Sequence, residues 1–440
     1  MGPSQSIHVA PSDHVILAVN GGSSSIKFAA FRDAPSWPKL LSGALTGIGE
    51  AEQRLSITSP NDTPPTVAAP EGAAGGAADQ SSRRDRNDKI IQAPDSQAAI
   101  QLVLETLRRA SLLGQIAVVG HRVVYGGPRL VQSQVVADDV LAELRRVQPL
   151  DPDHLPREIA LIEMLHRQLA PVPQVAVFDT AFFQDLPRVA RLLAIPRRLE
   201  AQGVHRYGFH GISYTFLMQR LAEVEPEAAS GRVILAHLGA GASLAAIKHG
   251  CPLDTTMGFT PTAGIPMATR SGDMDPGVLV YLMRHERMTA EQINRLVNRQ
   301  SGLLGVSETT GDMRQLLDWR ATDERAAEAV DLFCYQVRKT IGAFSAVLGG
   351  LDTLVFSGGI GQHAPAVRAA CCKDLRFLGL ALDAGRNHRN EPIVSTDAAA
   401  VKVRVIATDE ELVVAREAAR VCALTKSWQS PQPAAQPNGE

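Results

Sequence analysis

The feature that most limits the fold is a turn between two core strands that carries more than a turn needs. From His14 to Phe31 the chain reads HVILAVNGGSSSIKFAAF. The apolar run from Val15 to Val19 predicts a buried strand, and Ile26 to Phe31 predicts a second. Between them lie Asn20, two glycines and three serines, and Lys27 follows directly after Ile26. A hairpin needs Gly or Asn at two positions at most. The surplus suits a phosphate. Backbone N–H groups of Gly-rich turns point outward, and glycine's missing Cβ lets an anion approach them closely.

HLGAGAS (237–243) echoes this pattern, because it also follows one apolar run and leads into another. SGGIG (357–361) ends a separate strand-like run. No GxxxxGK[ST] occurs, and no GxGxxG opens a βαβ unit, so neither a Walker A loop nor a Rossmann fingerprint is present. The strand-like runs IAVVGHRVVYGG, QVAVFDTAF, RVILAHLGAGASLAAI, LDTLVFSGGIG and VKVRVIATDEEL alternate with amphipathic stretches such as AAEAVDLFCYQVRKTIGAFSAVLGG. That alternation predicts an α/β fold. RYGFHG reads as a strand-like run containing His210.

A chain of 440 residues is long enough for two or more domains. Residues 59–88, rich in Pro, Gly, Ala and charge, are expected to be a disordered surface insertion, and 427–440 a disordered tail. The formal charge of −2 gives no sign of a nucleic-acid or anionic-membrane partner. No apolar run approaches the roughly 18 residues of a membrane span, and no export signal is visible at the N-terminus. Five cysteines without a CxxC pair fit a reduced, cytoplasmic compartment.

Three further stretches carry chemistry. HRVVYGG sets the Arg122 guanidinium beside an apolar wall, which suits a short-chain carboxylate: a two-pronged donor for its oxygens, a small apolar pocket for its methyl. FDTAF places Asp179 at a strand end. An aspartate at such a strand end ordinarily caps a turn. Glu410 and Glu411 open the helical stretch ELVVAREAARV, where the helix dipole favours acids.

Ten motifs occur in order: NGGSSSIKF, GHRVVYGG, VFDTAF, RYGFHG, HLGAGAS, DTTMGFTP, ATRSGDMDPG, SGLLGVS, FSGGIG and ATDEEL. On them the chain resembles the acetate kinase family, short-chain acyl kinases of the sugar-kinase, Hsp70 and actin superfamily, from about Val15 to about Val421. The resemblance implies two duplicated RNase H-like (actin-like ATPase) α/β domains with an interdomain catalytic cleft, usually in a homodimer. The N-terminal domain would comprise 14–182 plus 404–426, and the nucleotide domain 183–403. The implied reaction is reversible in-line transfer of the ATP γ-phosphate to acetate, with Mg²⁺ (or Mn²⁺). Propionate or butyrate kinase activity, or a non-catalytic nucleotide-binding regulator, are the alternatives.

By resemblance Asn20 and Glu410 place the metal, with Glu410 preferred over Glu411. Ser23, Ser25 and Lys27 face the phosphates, Arg122 holds the acyl carboxylate, and Val124, Phe209 and Pro261 form the methyl pocket. Asp179, His210 and Arg270 are the catalytic set, His210 and Arg270 meeting the transition state and Asp179 orienting Arg122 and the metal. The nucleotide falls to His237, Leu238, Gly239, Ala240 and Gly241, to Asp312, Met313 and Arg314, and to Gly359, Ile360, Gly361, Gln362 and His363. Departures from the family pattern are Ala240 for asparagine in HLGNG, Gln362 and His363 in GIGEN, Phe183 for histidine in TAFHQ and Tyr214 for histidine in HGTSH. The PLHNP stretch reads PLDPDHLP. His154 takes the motif histidine's place if a short insertion precedes it; Asp151 does so without a gap.

Overall fold

The computed structural model describes residues 14–22, 24–59 and 88–422. Ser23, residues 60–87 of the expected insertion, and the expected tail 427–440 lie outside the described residues. Asp88, the last residue of that insertion, instead opens a strand. Contacts divide the chain into two units: one runs to Phe178 and resumes at Glu410, and the other is Asp179–Asp409.

In the first unit the Gly/Ser turn does join two core strands, β1 (Val15–Gly21) and β2 (Ser25–Arg32). Five consecutive β1 residues are buried, the signature of a strand covered on both faces. The sheet continues through β3 (Lys39–Thr46), β4 (Arg54–Thr58) and β5 (Asp88–Ile90) on one side. On the other side are β6 (Ile116–Val123), β7 (Gln134–Val135) and β8 (Gln174–Phe178). The strand order is β5-β4-β3-β2-β1-β6-β8-β7.

Helices α1 (Ser96–Arg109) and α2 (Leu155–Leu169) pack Ile100, Val103, Leu107, Leu161 and Leu165 against Val15, Leu17 and Val19. Asp95 caps α1 by accepting the Ala98 N–H at 2.8 Å.

The second unit carries α3 (Gly211–Val224), then β9 (Arg232–Leu238), β10 (Ala242–Lys248), β11 (Cys251–Thr255), β12 (Thr353–Ser357) and β13 (Lys402–Val405). Their order is β11-β10-β9-β12-β13. The long helix α4 (Glu324–Leu348) buries Ala326, Val330, Phe333, Val337, Ile341, Phe344 and Leu348 at helical spacing. It starts on an Asp323 cap and ends at Gly349, whose φ of +73° continues no helix. RYGFHG is not a strand. His210 has φ +60° and precedes the first residue of α3, so the chain turns there rather than extends.

The two units share one pattern. In each, an antiparallel meander of three strands (β3-β2-β1; β11-β10-β9) is followed by two parallel additions (β6-β8; β12-β13). The echo visible in the sequence as two hairpins therefore extends to five strands. Helix α5 (Glu410–Val421) closes the first unit by packing on β1, β6 and β8. It can approach because Gly120 of β6 has no side chain: a Cβ there would lie 2.9 Å from the Val414 carbonyl oxygen and 3.0 Å from the Ala418 methyl. Among the described residues, no helix is long and apolar enough to cross a membrane.

Beside Gly120, His121 is 1 % exposed, with Nε2 2.5 Å from Gln174 Oε1. Burial lowers its pKa to about 4, against the partly compensating Gln174 hydrogen bond. The folded state therefore holds this ring neutral, whereas the unfolded chain protonates it below about pH 6.5. Stability from this group is complete above pH 6.5 and is lost as pH falls toward 4. Between pH 7 and pH 5 the loss is on the order of 2 kcal/mol. Urea unfolding of wild type and His121→Asn at both pH values checks this. The wild type should lose that much more stability than the variant over the interval.

Candidate active site

In the first unit the residues that close the Gly/Ser hairpin meet a strand end and a helix start. Asn20 is the penultimate residue of β1 and lies opposite Lys27 of β2. Lys27 is exposed. Gly22 N donates to Ser25 O at 2.7 Å and tightens the turn. Arg122, near the end of the adjacent parallel strand β6, donates from Nη1 to Asn20 Oδ1 at 3.0 Å. The amide's other end donates from Nδ2 to Glu410 Oε2 at 3.3 Å. Arg122 Nε stands 3.9 Å from the same oxygen, and both side chains are less than one-fifth exposed. Asn20, Arg122 and Glu410 thus form one contiguous group. It offers a fork-shaped cation, an amide oxygen and a carboxylate.

Val124 is held from behind. Its N–H lies 3.2 and 3.1 Å from the two carboxylate oxygens of Glu158, a buried acid on α2. His154 and Asp151, the two candidates for one motif position, are bonded to each other at 2.8 Å just before α2. Asp151 is the more buried of the two, and its Oδ2 has no hydrogen-bond partner among the described residues.

The second unit assembles His210, Arg270 and the HLGAG turn. Asp179, fully buried, follows β8; its carbonyl accepts the Gly211 N–H at 3.0 Å and its Oδ1 the Ile212 N–H at 3.4 Å. These contacts fix the first turn of α3 and hence the left-handed residue before it, His210. The His210 ring places Nδ1 2.8 Å from Ser243 Oγ and stacks obliquely on His237 with centroids 4.7 Å apart. Arg270 donates from Nη1 to the Pro261 carbonyl at 3.2 Å. Gly241 is the hinge of the arrangement. A Cβ on it would be 3.2 Å from His210 Nε2 and 3.7 Å from Arg270 Nη1, so both donors converge on the space its hydrogen leaves. Phe209, next to His210 in sequence, and Pro261, whose carbonyl Arg270 engages, are both buried.

The parallel pairing of β9 with β12 brings HLGAG and SGGIG together, with Ser357 opposite His237. Gly358 has φ +75°, and a Cβ there would sit 2.5 Å from the Leu238 carbonyl oxygen. Gly359 and Ala240 are exposed. Leu238 and Met313, by contrast, are core side chains at 0 % and 3 % exposure, so only their backbones can meet a ligand. Asp312 caps the helix that Met313 opens and pairs with the largely exposed Arg314 at 2.8 Å. Arg368, fully buried, donates to the Gly361 and Gln362 carbonyls at 2.8 and 2.9 Å and so braces the GGIGQH segment. Sequence reasoning missed Arg368, Glu158 and Ser243. Only Ser243 stood inside a motif already singled out.

The profile described as the acetokinase family matches residues 73–416. The chain belongs to the acetokinase family. It is 40% identical to a propionate kinase of Citrobacter rodentium over 93% of this chain and 97% of that protein. To an acetate kinase of Rhodopseudomonas palustris it is 39% identical, over 92% and 98%. Among solved structures, the Porphyromonas gingivalis acetate kinase matches with TM-score 0.79 and 34% identity, covering 93% of this chain and all of that one. The paired α/β sheets are therefore those of the actin, Hsp70 and sugar-kinase fold. The acetokinase family consists of ATP-dependent phosphotransferases, which makes this chain an enzyme of that class.

Gly241 gives the sharpest test of this geometry. Gly241→Ala should leave urea stability within about 0.5 kcal/mol, since the spot opens on side-chain ends. It should nevertheless lower kcat between roughly 10- and 100-fold by displacing His210 and Arg270 from their convergence. A variant with wild-type turnover would show that nothing reacts in that space.

Proposed function

We propose that this protein transfers the γ-phosphoryl group of ATP to acetate, giving acetyl phosphate and ADP. The observation that carries the reading is the convergence of His210 Nε2 and Arg270 Nη1 on the space beside Gly241. Two donors aimed at one point suit the equatorial oxygens of a phosphoryl group in flight, where the protein's work is positioning and charge stabilisation. Arg122 grips the acceptor carboxylate through its fork, and Val124, two residues on, offers an apolar side chain to the methyl group. A carboxylate oxygen forms the new bond to phosphorus as the bond to the β–γ bridging oxygen breaks and ADP departs. No proton need move. Asp179 accordingly orients: it accepts backbone N–H groups and sets the turn that carries His210.

Mg²⁺ fits the donor set of the first unit. The ion keeps several waters and takes one or two protein oxygens plus nucleotide phosphates. Asn20 Oδ1 and the Glu410 carboxylate, already bridged by the asparagine amide, supply such a pair. Among the described residues no cluster of three or more His, Cys, Asp or Glu could hold a metal by itself, so the nucleotide must complete the site. When bound, Mg²⁺ neutralises phosphate charge; Mn²⁺ can substitute. Lys27 and Ser25 face the phosphates. The HLGAG turn and the GGIGQH segment, with Asp312 and Arg314, hold the nucleoside. A homodimer is part of this proposal, on the family resemblance alone.

A second acceptor, propionate, is favoured by one observation: a relative as similar as the acetate kinases is named a propionate kinase. Acyl-hydroxamate formation from ATP with acids from formate to butyrate separates the readings. Acetate should give the highest kcat/KM, by less than the 1–3 kcal/mol that a methylene is worth in a tightly matched apolar pocket. The same assay separates the arginines. Arg122→Ala should raise the KM for the acid and lower kcat. Arg270→Ala should lower kcat by roughly 10³-fold with KM little changed. Near-normal kcat in Arg270→Ala, or no hydroxamate from any acid, would overturn the proposal.

A further inference from the structure

Where the family motif has a histidine, Tyr214 stands fully buried on α3. Its ring meets Phe183, itself a departure from the family motif, edge-on at 5.8 Å, and lies 5.9 Å from Phe182. Its hydroxyl is 2.6 Å from Ser243 Oγ, which is 2.8 Å from His210 Nδ1. Three side chains from α3, β10 and the turn before α3 form a chain of two hydrogen bonds. The chain ends on the ring nitrogen opposite the one that faces Gly241.

The direction of those bonds follows from counting protons. Burial pushes the Tyr214 phenol well above its ordinary pKa, so it keeps its hydrogen, and its oxygen also takes the His237 backbone N–H. Ser243 Oγ is fully buried and has two side-chain partners among the described residues, the phenol and His210 Nδ1. A buried hydroxyl left without an acceptor is costly. Both hydroxyl hydrogens find acceptors in one arrangement: Tyr214 donates to Ser243, and Ser243 donates to Nδ1 of His210. The neutral ring must then carry its own proton on Nε2. If the ring takes a second proton, Nδ1 donates to Ser243 instead, and Nε2 keeps its hydrogen. The tautomer excluded is the one with Nε2 bare.

We propose that Tyr214 is a positioning residue that, through Ser243, holds His210 with its Nε2–H turned toward the transferring phosphoryl group. This rests on the reading of His210 as a donor to that group. A bare Nε2 would present a lone pair to anionic oxygens and repel them, so the relay converts a ring of two possible tautomers into a fixed donor. In this chain the phenol does this from a packed aromatic cluster, which holds the hydroxyl in one place.

The test uses the full-length protein and the variants Tyr214→Phe, Ser243→Ala, their double and His210→Asn. Tyr214→Phe keeps the ring and removes the hydroxyl alone. Its kcat should fall about five- to twentyfold, the worth of a lost hydrogen bond, with KM for ATP and acetate within about twofold. Ser243→Ala should do the same, and the double variant should be no worse than the worse single, because both break one chain. Nitrogen-15 NMR of histidine-labelled protein gives the direct signature, with the His210 resonance assigned by its loss in His210→Asn. Nε2 should be protonated in wild type and in Tyr214→Phe, with an unprotonated Nε2 signal emerging in Ser243→Ala. If Tyr214→Phe does not fold, Ser243→Ala carries both readouts. A folded Tyr214→Phe with wild-type kcat, or a folded Ser243→Ala with an unchanged Nε2 signal, alongside an impaired His210→Asn, would overturn the relay and leave the role of His210 standing. Wild-type turnover in His210→Asn would remove that role and the relay with it.

Discussion

Glu410 meets Asn20 across 390 positions of sequence, and the first unit is arranged to permit that meeting. The carboxylate opens α5, and α5 reaches the sheet only because β6 offers Gly120 where it crosses. Parallel pairing of β1 with β6 then brings Asn20 and Arg122 to the same sheet edge. An ion pair this enclosed adds little net stability, since desolvation offsets most of its attraction. What it supplies is position. Arginine, amide and carboxylate each constrain the next, so a ligand finds the group already ordered.

The second unit repeats the strand order for another purpose. Its meander turns at HLGAG, where the first turns at NGGSSS, and each turn lies beside the first parallel strand. The first turn follows Asn20, which bonds Arg122 and Glu410; the second leaves out a side chain at Gly241, where His210 and Arg270 converge. A single architecture thus presents a cation beside a carboxylate in one unit and two nitrogen donors converging on one space in the other. The difference lies in the residues placed on equivalent positions rather than in the backbone.

Much of this was legible in the sequence because it rests on local chemistry. Surplus hydroxyls and glycines betray the Asn20–Ser25 turn, five apolar residues betray β1, and the α4 stripe declares its helix by spacing. Arg122, closing an apolar run, marks a cation at a strand end before any coordinates exist. The remainder needed three dimensions. The RYGFHG run misleads because its apolar and aromatic residues pack inward, while the φ of His210, +60°, is imposed by Asp179 accepting the next N–H groups. Met313 and Leu238 occupy binding motifs yet point into the core, since a motif records backbone position and not side-chain direction. Glu158, Arg368 and Ser243 were invisible because each acts on an atom contributed by another element.

The account assigns no covalent step to the protein. His210 Nδ1 is engaged by Ser243, Glu410 is engaged by Asn20 and Arg122, and in the proposed reaction the acceptor carboxylate is itself the nucleophile. Phosphorus should therefore change hands once. The stereochemical course with ATP made chiral at the γ-phosphorus by oxygen isotopes tests this most directly. A single in-line displacement predicts inversion of configuration in the acyl phosphate. Retention would mean two displacements through a phosphorylated side chain, and would contradict the account at its centre.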